Sequence, residues 1–254
     1  MPISLYLATE SDIIFYGERK EKNMIIHGLN KLTLLDFPGL TACTVFTGGC
    51  NFRCPFCHNG SLVLAPDGQP VIPEEEVFGY LEKRKGILEG VCVTGGEPTL
   101  NADLIDFLKK VKAMGYKTKL DTNGTNPDML IRAVEEKAVD YVAMDIKNSR
   151  EKYGLSVGIK NYDTSKIEKS VSFLLEDRVD YEFRTTVVKE FNDEESFKGI
   201  AEWIKGAKKY FLQAFKDSGD LIDESVHGLS RDEMLALLPV FDKKVGKVEI
   251  RGMD

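Results

Sequence analysis

The feature that most constrains the fold is a regular alternation of short apolar runs with amphipathic segments. The runs are rich in β-branched residues, which is typical of buried strands, and the intervening segments carry apolar residues at helical spacing. This alternation predicts a parallel sheet covered by helices. The predicted strands are 41–47, 90–94, 117–121, 140–145, 181–188, 210–215 and 247–251, and the predicted helices are 73–86, 102–114, 127–137, 164–177, 193–208 and 230–240.

About six strand–helix units fit either a doubly wound open sheet or a barrel. A complete eightfold barrel typically takes ~250 residues. In this chain of 254 residues, an N-terminal stretch and a cysteine-containing loop use part of that length, so we predict an α/β fold with a partial barrel. Residues 1–23 match the pattern poorly and are expected to form an N-terminal extension. One domain is expected over 24–254.

Composition and charge exclude several classes of protein. A chain that is 43% hydrophobic and 30% charged is ordinary for a globular protein, not a disordered or fibrous one. A net charge of −7 argues against nucleic acid or an anionic membrane as partner. The N-terminus lacks the pattern of a secretory signal, and no apolar run approaches the ~20 residues needed to span a bilayer. We therefore expect a cytoplasmic protein without a membrane partner.

Three of the five cysteines, Cys50, Cys54 and Cys57, lie within eight residues of sequence. Thiolates are soft ligands, suited to zinc or to an iron–sulfur cluster. A zinc site would need His58 as fourth ligand, but ligands of structural zinc are usually separated by two or more positions. The spacing therefore favours a cluster held by three cysteines, with one iron open to a further ligand. The remaining cysteines, Cys43 and Cys92, are expected to be core thiols, which leaves ligands for only one cluster.

Polar residues follow one predicted strand after another. In parallel α/β folds the carboxyl ends of the strands meet at one rim, where ligands bind. This convergence is the main indication from the residues alone that the protein is an enzyme. The polar segments are 47–50, 94–98, 121–124 and 145–147, and Arg184 lies within the fifth strand.

With these motifs in place, the chain resembles the radical S-adenosylmethionine (radical SAM) superfamily. The cysteine spacing, with Phe56 before the last cysteine, carries that resemblance. Further motifs make the chain similar to the activases of glycyl-radical enzymes, and above all to the longer form of the anaerobic ribonucleotide reductase activating proteins. These motifs are LNKLTLLDFPG (29–39), TVFTGGCNFRCPFCHN (44–59), TGGEPT (94–99), LDTNG (120–124), MDIK (144–147) and FRTTVV (183–188).

The resemblance implies a partial (β/α)6 TIM-like barrel of the radical SAM type, one 4Fe–4S cluster and S-adenosylmethionine as cofactors. Cys50, Cys54 and Cys57 match the family's cluster ligands. The segment Gly95-Gly96-Glu97 matches the loop that holds the methionine amino group. Paired glycines let a backbone approach a ligand closely, although they are also common in ordinary turns.

Asp121, Thr122 and Asp145 match family positions near the cofactor. In pyruvate formate-lyase activase these positions bind a monovalent cation, and hard oxygen ligands suit such an ion. The resemblance therefore allows a cation here. The alternative is that Asp121 and Asn123 only shape the turn before Gly124.

Three further positions are assigned to the cofactor region by resemblance. Arg184 matches a family arginine, and Lys147 either contacts the cofactor or pairs with Asp145. Pyruvate formate-lyase activase has a cofactor-contacting histidine after the sixth strand, where this chain has Gln213-Ala-Phe-Lys. We expect Gln213 to replace that contact, and the departure weakens the match to that enzyme.

The implied function is reductive cleavage of S-adenosylmethionine to a 5′-deoxyadenosyl radical, which forms a glycyl radical on a partner enzyme. The expected partners are the anaerobic ribonucleotide reductase and a one-electron donor such as flavodoxin or ferredoxin. One alternative is a radical SAM enzyme acting on a small molecule or nucleoside. Another, from a different class, is a non-catalytic zinc-binding or electron-transfer protein.

Overall fold

Eight strands pair in the order in which they occur along the chain, in a computed structural model that describes residues 23–253. Neighbours from β2 to β8 are all parallel, and the outer strands β1 and β8 do not pair with each other. The predicted partial barrel is therefore confirmed as an open sheet. Its strands are β1 (Ile26–Thr33), β2 (Ala42–Thr47), β3 (Gly90–Gly95), β4 (Lys117–Thr122), β5 (Tyr141–Asp145), β6 (Asp180–Val187), β7 (Lys209–Ala214) and β8 (Lys247–Arg251).

Helices connect successive parallel strands and cover the outside of the sheet. Each of the six predicted helices is present, but all of them end before the predicted residue because their last turns are irregular or 3₁₀. The helices are α1 (Gly60–Leu64), α2 (Glu74–Glu82), α3 (Leu104–Ala113), α4 (Pro127–Glu135), α5 (Tyr153–Val157), α6 (Ser165–Leu175), α7 (Glu194–Trp203) and α8 (Arg231–Leu237), with short 3₁₀ turns at Pro66–Gly68, Pro98–Leu100 and Leu238–Phe241.

Side-chain caps explain where two of these helices begin. The Asn126 side chain accepts from Met129 N, and Pro127 stands at the first helical position of α4. At the start of α7, the Asp193 side chain accepts from Ser196 N and the Ser196 hydroxyl accepts from Asp193 N, which forms a capping box. Both helices then turn apolar residues toward the sheet, so local sequence and burial agree.

Strand β1 was not predicted, and it is the exception to the parallel pattern. It pairs antiparallel with β2 through a connection that is too short for the helical crossover a parallel pair needs. Within that connection, Phe37 is buried against Ala42 and Tyr141. Because both partners are the first residues of their strands, this loop closes the amino-terminal end of the barrel.

The N-terminal extension expected over 1–23 lies outside the described residues except for Asn23, and it stays a prediction. No helix within 23–253 is long and apolar enough to cross a membrane. At the carboxyl ends of the strands, opposite the end closed by Phe37, the barrel interior opens into a pocket.

Candidate active site

The three clustered cysteines lie on one loop between β2 and α1. Cys54 is buried, whereas Cys50 and Cys57 are half-buried. Turns within the loop hold it: Cys57 N donates to Cys54 O at 3.0 Å, and Phe52 N donates to Cys50 Sγ at 3.4 Å. All three thiols are free of disulfides and line the same pocket. The structure thus brings together the three predicted cluster ligands.

Burial raises the pKa of Cys50 to about 11 and that of Cys54 to about 12, and it raises the pKa of Cys57 as well. A metal that binds these sulfurs must therefore displace their protons. Among residues 23–253, no three Cys, His, Asp or Glu side chains converge closely enough to hold a single ion. The ligands of a multi-iron cluster bind different irons and need not meet at one point, so this finding does not bear on the predicted cluster.

Aromatic rings form one wall of the cysteine loop. Phe52 is buried against Tyr153 and Tyr162, with ring centroids 6.3 and 5.2 Å away. Phe56 is buried against Phe191 at 5.7 Å. Phe52 and Phe56 also line the pocket, so they keep water away from the cysteines on that side.

The glycine turn after β3 packs directly against the cysteine loop. A Cβ on Gly96 would lie 1.9 Å from Gly49 O, and one on Gly95 would lie 2.3 Å from Thr47 O. Backbone bonds from Gly96 N to Thr47 O and from Glu97 N to Gly49 O, both 2.8 Å, close the contact. Glycine is therefore required at both positions because the backbone after β3 packs directly against the start of the cysteine loop. Both glycines also line the pocket, and their close approach to a ligand stays a prediction.

Glu97 is 1% exposed and joins the glycine turn to the segment after β4. Its carboxylate accepts from Thr122 Oγ1 at 2.8 Å and from Asn123 N at 2.7 Å, and also from the backbone and hydroxyl of Thr99. Burial raises the pKa of Glu97, and these donors oppose the shift. With its oxygens used in this way, Glu97 positions two loops of the pocket.

Charged side chains form the floor of the pocket. Arg184 on β6 donates through Nη2 to Asp121 Oδ2 at 3.0 Å and through Nε to Asp145 Oδ1. Lys147 Nζ donates to Asp145 Oδ2 at 2.8 Å, as one of the two sequence alternatives expected. Burial by itself would raise the pKa of Asp145, but Arg184 and Lys147 outweigh it and hold that pKa far below its usual range. Asp145 therefore stays ionised.

Two polar groups of the pocket have no hydrogen-bond partner among residues 23–253. The Gln213 side chain makes no hydrogen bond to any other residue of 23–253. The ring of His58 stacks on Phe215 with centroids 5.5 Å apart, and its buried Nε2 has no hydrogen-bond partner in the same part of the chain. Buried polar atoms are normally satisfied, so a bound ligand is the natural partner for His58 Nε2.

Every site residue predicted from the sequence lines this one pocket, which holds about 900 Å³ of empty space up to its open mouth. Their roles as ligands stay predictions. The residues concerned are Cys50, Cys54, Cys57, Gly95, Gly96, Glu97, Asp121, Thr122, Asp145, Lys147, Arg184 and Gln213.

Other residues of the site are not among the predicted ligands. Asn123 donates to Asn51 Oδ1 at 3.0 Å and lies 3.8 Å from Cys50 Sγ. Asn59 donates to Gly95 O at 3.1 Å, which ties the end of the cysteine loop to the glycine turn. Lys119 reaches Asp121 from below the pocket. Asn123 and Asn59 sit inside recognised motifs, which is a usable signal, whereas nothing in the sequence around Lys119 indicates burial.

Comparison with known proteins matches residues 44–204 to the radical SAM superfamily. A protein of Methanocaldococcus jannaschii with the provisional name of glycyl-radical enzyme activating enzyme is 31% identical over 91% of this chain and 97% of its own length. The pyruvate formate-lyase 1-activating enzyme of Escherichia coli is 30% identical over 67% of this chain and 70% of its own.

A third relative differs in its chemistry. The 7-carboxy-7-deazaguanine synthase of Koribacter versatilis is 31% identical over 58% of this chain, which spans 62% of that protein. Among solved structures, Streptococcus suis SuiB bound to S-adenosylmethionine has a TM-score of 0.64 at 13% identity, over 81% of this chain and 49% of that one. At that identity, the likeness supports the fold alone.

Proposed function

This chain belongs to the radical SAM superfamily, and from that premise we propose that it is the activating enzyme of an anaerobic ribonucleotide reductase. The observation that carries the proposal is the convergence of three free cysteines, a glycine turn and a buried row of charges on one pocket. The superfamily uses a 4Fe–4S cluster and S-adenosylmethionine as cofactors.

The donor set suits both cofactors. Three thiols on one loop leave one iron of a cluster without a protein ligand, and we assign Cys50, Cys54 and Cys57 to the other irons. The unpartnered Nε2 of His58 and the free amide of Gln213 are available to polar atoms of a bound molecule. We also assign Gly95 and Gly96 to the side of the pocket that holds the methionine amino group.

When bound, the two cofactors supply a 5′-deoxyadenosyl radical that takes a hydrogen atom from the Cα of one glycine of the partner. The chain's own residues hold and shield them. Phe52 and Phe56 exclude water beside the cysteines. Arg184 and Lys147 present positive charge at the pocket floor, which suits a carboxylate.

The open side of the sheet, between β8 and β1, supports access by another protein. No strand closes this gap within residues 23–253, so an extended glycine loop can approach the pocket from the side. A reductase is favoured over pyruvate formate-lyase because Gln213 stands where the lyase activase has a histidine that contacts the cofactor. Flavodoxin or ferredoxin is the proposed electron donor.

The test is electron paramagnetic resonance on candidate partners under anaerobic conditions. The protein, reconstituted with iron and sulfide, is incubated with S-adenosylmethionine, reduced flavodoxin and either the reductase or a pyruvate formate-lyase. We expect a glycyl doublet on the reductase, none on the lyase, and 5′-deoxyadenosine in matching amount. A reductase with its radical glycine replaced by alanine is the control and should give no doublet.

Catalysis on a small molecule or nucleoside is the second candidate, supported by the likeness to 7-carboxy-7-deazaguanine synthase. Both candidates form 5′-deoxyadenosine after reduction, but only activation places a radical on a protein. Absence of the doublet on the reductase, with turnover of S-adenosylmethionine intact, would defeat the activase proposal in favour of this one.

A further inference from the structure

The charged row at the pocket floor continues one residue deeper than the sequence motifs indicate. Lys119 on β4 donates through Nζ to Oδ1 of Asp121. The other oxygen of that carboxylate, Oδ2, accepts from Arg184. Arg184 and Lys147 take the two oxygens of Asp145. All four carboxylate oxygens therefore accept from a cationic side chain. Within this row three cations face two carboxylates, and the carboxylate of Glu97 lines the same pocket.

The hydroxyl expected to help hold a monovalent cation is also in use. Thr122 Oγ1 donates to Glu97 Oε1 at 2.8 Å and accepts from Gly124 N at 3.1 Å. Together with the occupied carboxylates, this means that the residues matching a cation site do not fit a free cation.

Lys119 is the member of the row that a cation would replace. Its side chain is 2% exposed, and Nζ lies 3.8 Å from Cys92 Sγ as well as on Asp121. An ammonium buried this deeply is stable only when paired, and Asp121 is its pair. Burial alone would lower the pKa of Lys119, but Asp121 outweighs it and keeps the side chain charged.

We propose that the ammonium of Lys119 serves as a built-in monovalent cation of this site, so that the protein binds its cofactor without free Na⁺ or K⁺. Lys119 is a positioning residue: it occupies one oxygen of Asp121 and leaves the other to orient Arg184 at the pocket floor. This inference rests on the proposed cofactor pocket, but not on which partner protein is activated.

The test compares salts of K⁺, Na⁺ and tetraethylammonium, an ion too large to enter, at equal ionic strength. The dissociation constant for S-adenosylmethionine is measured on the reconstituted full-length enzyme, and thermal unfolding is measured on the same chain without its cluster. Lys119→Ala removes the ammonium and leaves space for a small ion. The matched control is Lys117→Ala, which removes a lysine that is 63% exposed from the same strand.

For the wild type and Lys117→Ala, the dissociation constant for S-adenosylmethionine should differ by less than about twofold among the three salts. Lys119→Ala should bind about tenfold more weakly in tetraethylammonium and recover in K⁺ or Na⁺. Its unfolding temperature, without the cluster, should likewise rise when K⁺ or Na⁺ replaces tetraethylammonium.

Two results would overturn the inference. One is a wild-type protein that needs K⁺ or Na⁺ for tight binding, which can be measured even if Lys119→Ala does not fold. The other is a folded Lys119→Ala protein whose binding and unfolding ignore the salt. The unfolding measurement requires no cofactor or partner, so failure of the activase proposal would not obscure the answer.

Discussion

The two ends of the barrel both bury charged side chains, but they balance those charges differently. Toward the closed end, Glu182 is fully buried and accepts two hydrogen bonds from Arg251, at 2.6 and 2.9 Å, and one from Tyr141 Oη at 2.8 Å. One carboxylate thus meets one guanidinium. At the open end, Asp121 and Asp145 share three cations beside a pocket.

The two networks also differ in what surrounds them. Arg251 lies over the ring of Phe211 at 3.2 Å and is 32% exposed, and Tyr141 contacts Phe37 at 6.0 Å, so aromatic rings flank the Glu182 network. None of these residues lines the pocket. A one-to-one ion pair away from the pocket stabilises the fold, whereas Arg184 and Lys147 lie where a ligand can contact them.

The largest expected effect is at the cysteine loop of the open end. Cys54→Ala removes a proposed cluster ligand, so bound iron should fall sharply and formation of 5′-deoxyadenosine should drop by at least about a thousandfold. Iron analysis and visible absorbance of the anaerobic protein measure the change. Cys43→Ala, which alters a buried thiol away from the pocket, should keep its cluster. Full activity in Cys54→Ala would rule out the assigned ligand.

The second prediction concerns the Glu182–Arg251 ion pair. Arg251→Met leaves the Glu182 carboxylate buried without its cation, which should lower the free energy of unfolding by about 3–5 kcal/mol. Urea unfolding at neutral pH measures it. Adding Glu182→Gln should recover most of the loss because no unpaired charge then remains. A double variant as unstable as the single one would show that packing, not charge, accounts for the effect.

The third prediction tests whether the glycine turn sets the position of the cysteine loop. Gly96→Ala places a Cβ against Gly49 O, and the two loops must separate. Overpacking of this kind should lower stability by about 2–3 kcal/mol and reduce the iron bound on reconstitution. Gly68→Ala is the control, since a Cβ there meets nothing within 4 Å. Equal iron content in the two variants would contradict the coupling of the loops.

The fourth prediction repeats the arginine substitution at the open end. In Arg184→Met each carboxylate keeps one cation, Lys119 on Asp121 and Lys147 on Asp145. The loss of stability should therefore be about 2 kcal/mol, less than for Arg251→Met, while binding of S-adenosylmethionine weakens about tenfold. Urea unfolding and calorimetric titration separate the two effects. The contrast between the ends fails if both arginines prove equally costly to remove.

The smallest effect is expected at Asp140, a partly exposed carboxylate just before β5. Burial raises the pKa of Asp140, but Lys112 and the N–H of Thr118 outweigh it and lower the pKa below the ordinary 3.8. The carboxylate therefore adds stability above pH 4, and that contribution is lost as the pH falls through the lowered pKa.

Asp140→Asn should accordingly cost about 1 kcal/mol at pH 7 and progressively less below pH 4. Urea unfolding of both proteins from pH 7 to pH 3 gives the difference. A difference that stays constant over this range would mean that ionisation of Asp140 contributes nothing.

Most of the secondary structure could be predicted from the sequence, and the exceptions have local causes. Strand β1 carries Gly28, Asn30 and Lys31, which have low strand propensity, and its partner β2 supplies the pairing. Helices α1 and α5 have five residues each, too few to show a helical period. Long periodic segments such as α3 are determined by their own side chains.

The sequence by itself determined the cysteine loop, the glycine turn and the alternation of strands with helices along the chain, because these depend on neighbours along the chain. Tertiary structure decided which charges meet across strands. Arg184 reaches Asp145 because β5 and β6 pair in a register that aligns the two residues, and it reaches Asp121 across the barrel from β4. Lys119 and Asp121, by contrast, lie two residues apart on one strand and share a face, and only their burial depends on the barrel. Cross-strand partners are chosen by register and burial, which no short motif records. In our proposal, Lys119 takes the place of the cation that the resemblance allows at this site.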